Sequence, residues 1–513
     1  MRMRSVLMLS PVLGLSLLVL AGCVTSGPEY EAPQFDLKAT YSPQVPQIAD
    51  HKPDLTRWWQ STSDPVLSQL VKDGINNNID LKIAASRIAE ARAVARGVRG
   101  DNGPKVTASG GGSAERQWST KEDGNYQDDF GANAGLNLSW TADLWGGQAR
   151  EGQVAEADIL QQVYLREDVY RIVIADIIRN YITLRGTQQR QLLLRNSLDL
   201  QRQTRDIVDL RAQSGLASDL DLSRARAEVA DIEATLPVLQ TSIDRSINAI
   251  AILTGAQPGT YRDVLSRADV LPEFDSAPPI GVPADLLRRR PDVRAAELGL
   301  ISATAEIGVQ TADLYPELTL QGSLSMAATG FGTGPIVRTA LAAISAVIDA
   351  TLYDGGVRKA NITVAEERAQ QAFYQYRQTL LAAISDVESA IFGYVGAVSQ
   401  RDSLILAVAH HRQAFEQSRV RYTQGLSNFL DVLDAQRTLT KSEQDLADAQ
   451  TSLEIETINL YSAVGMDAEQ VDKMAETTNR DSAPFDPFFV TPARAAAQRS
   501  PTSSSPATHD VAG

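Results

Sequence analysis

Cysteine occurs once in 513 residues, at Cys23, so no disulfide can form within the chain even in an oxidising compartment. Histidine is nearly as scarce: His51, His410, His411 and His509 are the four. His410 and His411 are adjacent on a helix-forming stretch, point in different directions and make a poor metal pair. There is no phosphate-cradling glycine loop and no zinc-ligand spacing, so an enzyme reading fails on inventory and no cofactor is called for. Basic charge is short as well. Lys and Arg number 48 against 63 Asp and Glu; the net charge of -15 and pI near 4.9 argue against nucleic acid as a partner. After residue 20 no continuous apolar run is long enough for a membrane helix, so any later membrane crossing must use strands.

What the chain does have, it has twice. Gly215-Leu216, Leu220-Asp221 and Ala225 recur 210 residues later as Gly425-Leu426, Leu430-Asp431 and Ala435. Leu222, Val229, Leu236, Ile243 and Ile250 lie seven apart, as do Val432, Leu439, Leu446, Leu453 and Leu460. A strict seven-residue apolar repeat makes a seam that requires a partner helix. The duplication extends upstream: Asp80, Ala84 and Pro104 align with Asp292, Ala296 and Pro316, and Gly146-Gly147 with Gly355-Gly356. Each half therefore reads as a helix, strands, a glycine pair, a very long helix, a sharp turn and a second long helix.

Residues 147 to 213 contain no proline, and a helix of that length would run on the order of 100 Å. Pro237, on the seam side where the other half has Ala447, predicts a bend. Phe130, Ala132, Ala134, Leu136, Leu138, Trp140 and Ala142 alternate with Asn133, Asn137, Ser139 and Thr141. Leu318, Leu320, Leu324 and Met326 alternate in the same way with Glu317, Thr319, Gln321, Ser323 and Ser325. This is the period of a sheet apolar on one face, compatible with a membrane barrel or a half-buried soluble sheet. Segments from Lys105 and from the poorly alternating Thr339 would pair with these, giving four strands, too few to close a barrel alone. The proline-broken stretch from Gln257 to Arg290 reads as a connector with a short helix and strand of its own.

Arg2 and Arg4 precede an apolar run from Val6 to Leu20, the pattern of an export signal. It ends in Leu20-Ala21-Gly22-Cys23, which resembles a bacterial lipoprotein signal and implies acylation of Cys23; an ordinary cleaved signal is the alternative. Val24, rather than aspartate, resembles outer-membrane sorting. The tail from Asn479 has the composition of a disordered segment.

Three further marks stand in order: Trp58-Trp59 with Asp64-Pro65, then Leu286-Leu287-Arg288-Arg289-Arg290-Pro291-Asp292, then Leu433-Asp434-Ala435-Gln436-Arg437. With the duplication and the signal, the chain resembles the TolC-type outer-membrane efflux proteins, closest to their OprM-like lipoprotein branch, from Cys23 to about Met466. The resemblance implies a mainly α fold with a small β part. Long hairpins would form a trimeric periplasmic α-barrel below a shared twelve-stranded transmembrane β-barrel, four strands per protomer. The divisions expected are a signal at 1–22, a lipid-anchored segment at 23–63 in an equatorial belt and a first repeat at 64–256. A belt connector at 257–284, a second repeat at 285–466 and a C-terminal belt segment and tail at 467–513 complete the chain.

The implied function is the exit duct of a tripartite system, a homotrimer working with an inner-membrane pump and a periplasmic adaptor and held in the outer membrane by its barrel and Cys23 lipid. The outer-membrane component of a type I protein exporter, or a non-conducting coiled-coil lipoprotein, are the alternatives. The two turns, Gly215, Leu216, Ala217 and Ser218 with Gly425, Leu426 and Ser427, would meet the adaptor, although glycine at a helix end has a local reason too. Ser427 departs from the arginine that TolC carries there. Leu430, Asp431, Asp434 and Arg437 match the family's periplasmic gate, with Arg437 placed to pair with Asp434. A solvated helix face would also explain the two aspartates. Asp221 and Tyr422 match a pair that locks neighbouring hairpins.

Overall fold

The computed structural model describes residues 25–38, 40–41, 57–62, 64–118, 126–274, 283–285, 289–331, 334–466, 472–473 and 476–477. The export signal, Cys23, Leu286 to Arg288 and the tail from Asn479 lie outside the described residues.

The first repeat opens with α1 (Pro65–Asn77) and α2 (Ile79–Asp101). Asp64 starts α1 by accepting bonds from the amides of Val66 (2.8 Å) and Leu67 (3.0 Å), and Pro65 occupies a first-turn position where no N–H is needed. Then come β1 (Lys105–Trp118), β2 (Tyr126–Ala142), α3 (Gly147–Gln213) and α4 (Asp219–Leu253). The second repeat gives α6 (Pro291–Ala312), β3 (Glu317–Phe331), β4 (Val337–Asp349), α7 (Val357–Thr423) and α8 (Phe429–Val464) in the same order. Between them the connector holds the four-residue α5 (Arg262–Leu265) and a 3-10 turn at Pro283–Asp285. The strand expected there does not occur among the described residues.

Both α3 and α7 are 67 residues long, about 100 Å at 1.5 Å per residue. The heptad seams are buried as expected. Val229, Ile243 and Ile250 of α4 lie at 7%, 3% and 0% exposure, and Val432, Leu439, Leu453 and Leu460 of α8 at 7% or less. Leu194 and Leu198 of α3 meet Val229, Ile232 and Leu239 of α4, so apolar side chains bind the first hairpin. Val408 and Phe415 of α7 do the same for the second with Val432, Leu433 and Leu439. Pro237 is exposed rather than on the buried seam, and α4 continues unbroken through it.

The two hairpins meet along α3 and α8; the seam is polar over residues 186–197 of α3 and apolar toward the tip, where Val208 and Ala225 join Val432 and Leu433. Ser197 and Thr440 hydroxyls are 2.7 Å apart, Arg190 pairs with Asp448 at 3.2 Å, and the Gln189 amide donates to Gln450 at 3.3 Å. Gly186 lets the helices close here, since a Cβ on it would stand 2.1 Å from Thr451 Oγ1. Nearer the middle of the long helices the largest core gathers Trp58, Trp59, Leu67, Ile177, Tyr181, Ile247, Leu380 and Tyr461 from both repeats.

The four strands form one antiparallel sheet in the order β1-β2-β3-β4. Its register sets Val106 beside Leu138, Ala134 beside Met326, Leu136 beside Leu324, Trp140 beside Leu320 and Leu318 beside Ile348. Even-numbered positions of all four strands thus share one apolar face, on which Phe130, Leu136, Leu138, Leu324 and Ile344 are exposed. Asn133, Asn137, Ser139, Thr141, Thr319, Gln321, Ser323 and Ser325 share the other. β4 breaks the pattern, with Leu341 and Val347 on the polar side. At the sheet's helix-proximal end Trp145 stacks on Tyr315, ring centroids 4.6 Å apart, and donates its indole N–H to the Pro316 carbonyl at 2.8 Å. By composition α7 carries an 18-residue window of mean hydropathy 1.4, enough to cross a bilayer, yet α7 packs along α6 and α8.

Candidate functional site

Both helix reversals at the end remote from the sheet are built alike. Leu216 N–H donates to Arg211 O (2.8 Å) and Gly215 N–H to Ala212 O (3.0 Å); Leu426 to Arg421 O and Gly425 to Tyr422 O repeat these bonds at the same lengths. This is the six-to-one and five-to-two pattern that ends a helix on a left-handed residue. Gly215 and Gly425 take φ of 72° and 74°, and a Cβ on either would meet nothing within 4 Å, so conformation rather than packing selects glycine.

The outgoing helices are capped. Ser218 Oγ accepts from Asp221 N–H at 3.1 Å while the Asp221 carboxylate accepts the Ser218 backbone N–H at 3.4 Å, closing a capping box, and also takes the Ser218 hydroxyl at 2.8 Å. Asn428 Oδ1 accepts from Asp431 N–H at 3.0 Å. Each tip presents two exposed leucines at matching positions, Leu216 and Leu220 on one, Leu426 and Leu430 on the other. Ala217 is half-buried against the tip core, and the half-buried Ser427 keeps its hydroxyl inside without a partner.

On α8 the residues Leu430, Asp431, Asp434 and Arg437 are exposed, while Val432, Leu433, Gln436 and Leu439 are buried. The first set therefore shares a stripe turned away from the chain's own core. Arg437 does not pair with Asp434 as its spacing suggested. Its guanidinium crosses to Glu228 of α4, whose side chain is largely buried. The two outgoing helices run in the same direction one repeat apart, so Glu228 sits level with Arg437; the repeat offset was the signal that could have found it.

Asp221 and Tyr422 are not hydrogen-bonded to each other within the chain, because the capping box holds the Asp221 carboxylate. Tyr422 is instead covered by Arg211, whose guanidinium carbon lies 4.6 Å from the ring centroid and whose Nη1 donates to Tyr422 O at 3.3 Å. Phe429 packs on the ring's other approach, 5.9 Å between centroids. Burial pushes the Tyr422 hydroxyl above its ordinary pKa, Arg211 opposes this and Asp221 adds to it, so the two expected lock residues are coupled through charge alone. Arg211 and Phe429 are tip residues that sequence reasoning missed; the repeat gives Arg211 the counterpart Arg421, which could have pointed to it.

A family profile described as outer membrane efflux protein matches residues 70–256 and again 282–466, once per repeat. Nodulation protein T of Rhizobium leguminosarum bv. trifolii is 30% identical over 433 residues, 84% of this chain and 92% of that one. The probable outer membrane lipoprotein SilC of Salmonella typhimurium is 27% identical over 461 residues, 88% of this chain and 97% of its own. Among solved structures, the outer-membrane channel OprN superposes with a TM-score of 0.78 at 29% identity, covering 87% of this chain and 100% of OprN. The duplicated hairpins, the one-sided sheet and these likenesses agree: the chain belongs to the outer membrane efflux protein family, the TolC and OprM type of outer-membrane channel.

Proposed function

We propose that three copies of this chain close their sheets into one twelve-stranded barrel in the outer membrane and their hairpins into a tube beneath it. Together they form the passive exit duct of a tripartite efflux system. The observation that carries this reading is the sheet. All four strands turn their even-numbered apolar residues to one face, while β1 and β4 remain open edges. Hydrocarbon tolerates no unpaired edge, and four strands are too few to curl shut, so the edges of neighbouring copies must satisfy each other. The polar face then lines water.

The N-terminal segment supports lipid attachment at Cys23. Ser26 donates its amide (2.9 Å) and hydroxyl (2.8 Å) to Trp145 O, at the level of the Trp145–Tyr315 pair. Cys23 lies within about 7 Å of Thr25 along the chain, so acyl chains on it would enter the bilayer beside these interfacial aromatics.

At the other end the exposed leucines of the turns 215–218 and 425–427 offer apolar contacts to a periplasmic adaptor, which works with an inner-membrane pump. The stripe Leu430, Asp431, Asp434 and Arg437 is the gate. Three copies of each aspartate around one axis make a ring of like charge that favours cations and resists narrowing. The Arg437–Glu228 pair ties the outgoing helices of the two hairpins together, so opening must break or carry it. Docking can reverse the closed packing only if that packing is favoured by a few kcal/mol.

Single-channel recording in a planar bilayer tests this, using the wild type beside the Asp431→Ala, Asp434→Ala variant. A small, mostly closed, cation-preferring conductance that widens and loses selectivity in the variant supports both duct and gate. Silence from folded trimers of both would refute the duct; identical conductance would move the gate elsewhere.

A further inference from the structure

The two repeats treat one acidic position differently. In the first, Asp244 on α4 is paired with Arg262 of the connector at 3.2 Å and remains half-exposed. Its counterpart 210 residues on is Glu454 of α8, which is 7% exposed and makes no ion pair among the described residues. The residue at the same offset from Arg262 is Asp472, an acid engaged with the Tyr164 hydroxyl at 2.9 Å. The second repeat has therefore buried the carboxylate and dropped its cation.

Glu454 holds something. Its Oε2 accepts the backbone N–H of Phe274 at 3.1 Å. Phe274 packs on Trp58 (5.4 Å) and Tyr461 (6.3 Å), themselves stacked at 4.7 Å. Upstream, the same stretch is held at Leu265 O by Gln188 (2.6 Å) and at Arg267 O by Arg185 (2.7 Å). Between these fastenings and Phe274 the chain alternates: Val270 is 81% exposed, whereas Leu271 is buried in the main core. Around Phe274 the stretch is thus seated by Leu271, one aromatic cluster and one carboxyl group.

The charged and titratable groups acting on Glu454 are Glu273 of the connector and Arg401 of α7, with Tyr394 of α7 in turn feeling Glu454. No charged group of α3 or of the Trp58 turn acts on it. The near acid repels and Arg401 attracts without ion-pair contact, so the environment disfavours the charged form. We propose that Glu454 is a proton-operated clamp on the connector, which seats residues 268–274 against α8 when the carboxyl is neutral and releases them when it ionises.

Burial is the main cause that raises the Glu454 pKa, to about 7, with the Phe274 N–H opposing it. An acid whose pKa is raised in the seated state favours that state while protonated, and the preference fades as pH rises from its ordinary value through 7. With a solvated value near 4.5, the released fraction rises roughly tenfold between pH 6 and pH 8.

Hydrogen–deuterium exchange of the full-length protein in detergent, corrected for the intrinsic pH dependence of amide exchange, reads this directly. In the wild type, protection of residues 268–274 should fall about tenfold from pH 6 to pH 8. In Glu454→Gln, neutral at every pH and still able to accept the Phe274 N–H, protection should stay high and flat. Flat wild-type protection, or the same fall in Glu454→Gln, would overturn the clamp. Should that variant not assemble, infrared titration of the wild type decides: a carboxyl band must vanish with a midpoint near pH 7 in step with the exchange. Neither readout depends on conduction, so failure of the duct reading would leave this inference standing and the reverse holds too.

Discussion

Gly27→Ala should undock the N-terminal segment from the junction of sheet and helices while leaving the rest of the chain folded. Gly27 has φ of 79°, and a Cβ there would lie 2.4 Å from Gly308 Cα and 2.8 Å from Gly308 N. Both obstructing atoms are backbone of α6, so no rotamer change relieves the clash. The left-handed conformation costs about 1–2 kcal/mol for alanine. Overpacking against a fixed helix adds about 1–3 kcal/mol. Against this stand three hydrogen bonds: two from Ser26 to Trp145 O and one from Arg150 Nε to Ser26 O at 3.1 Å. At about 1 kcal/mol each they total roughly 3 kcal/mol, comparable to the perturbation. The segment should therefore leave its site rather than drag α6 with it. Exchange of the Ser26 amide checks this, with expected loss of protection there and an unchanged melting transition. Gly259→Ala is the control, since it also has positive φ (89°) but meets nothing within 4 Å. Gly308→Ala should mimic Gly27→Ala without left-handed strain, its Cβ reaching Ser26 O at 2.7 Å and Arg150 Cγ at 2.8 Å. Full protection of Ser26 in both junction variants would refute the reasoning.

Pro237→Ala should stabilise the first hairpin by up to about 3 kcal/mol, because Pro237 is exposed inside α4 and replaces an amide that would have bonded the preceding turn; chemical denaturation measures it, and a loss of stability would mean the proline has a packing role. Gly186→Ala should destabilise the hairpin seam by about 1–3 kcal/mol through Thr451, with partial rescue by Thr451→Ala in a double-mutant cycle; additive effects would place the strain elsewhere. Arg437→Ala leaves the largely buried Glu228 carboxylate unpaired, so it should destabilise the hairpins by about 1–3 kcal/mol. The same variant should raise the open fraction in single-channel records, and a lower open fraction would show that the pair does not hold the closed tip.

Much of the architecture could be read from residue order because it rests on local periodicity. Seven-residue spacing in α4 and α8 identifies buried seams wherever the partner comes from, and alternation in β2 and β3 assigns faces without knowing the neighbours. The β4 stretch from Val337 read poorly for the same reason. Leu341 and Val347 stand on the polar face, so the strand had to be placed by its pairing with β3 rather than by its own pattern. The tip residues divided along the same line. Turns, caps and the aspartate stripe follow from spacing within one helix. The partner of Arg437 does not, because spacing along one helix proposed Asp434 where packing supplied Glu228. Asp221 went the other way: the resemblance implied the distant Tyr422, and within the chain its carboxylate is held by the local Ser218.

The sequence by itself therefore determined the two repeats, the long paired helices, the one-sided strands and the position of both turns, since each depends on interactions within a few residues or on a strict period. Only the tertiary structure decided that the seam between the two hairpins is polar over residues 186–197 of α3 and that Arg211 covers Tyr422. It alone placed Thr25 to Gly27 against Trp145, and seated Phe274 on a buried Glu454 while Asp244 kept its arginine. All of these but the Asp244–Arg262 pair join residues separated by about a hundred positions or more, and for them the relative placement of helices, not local chemistry, selects the partner.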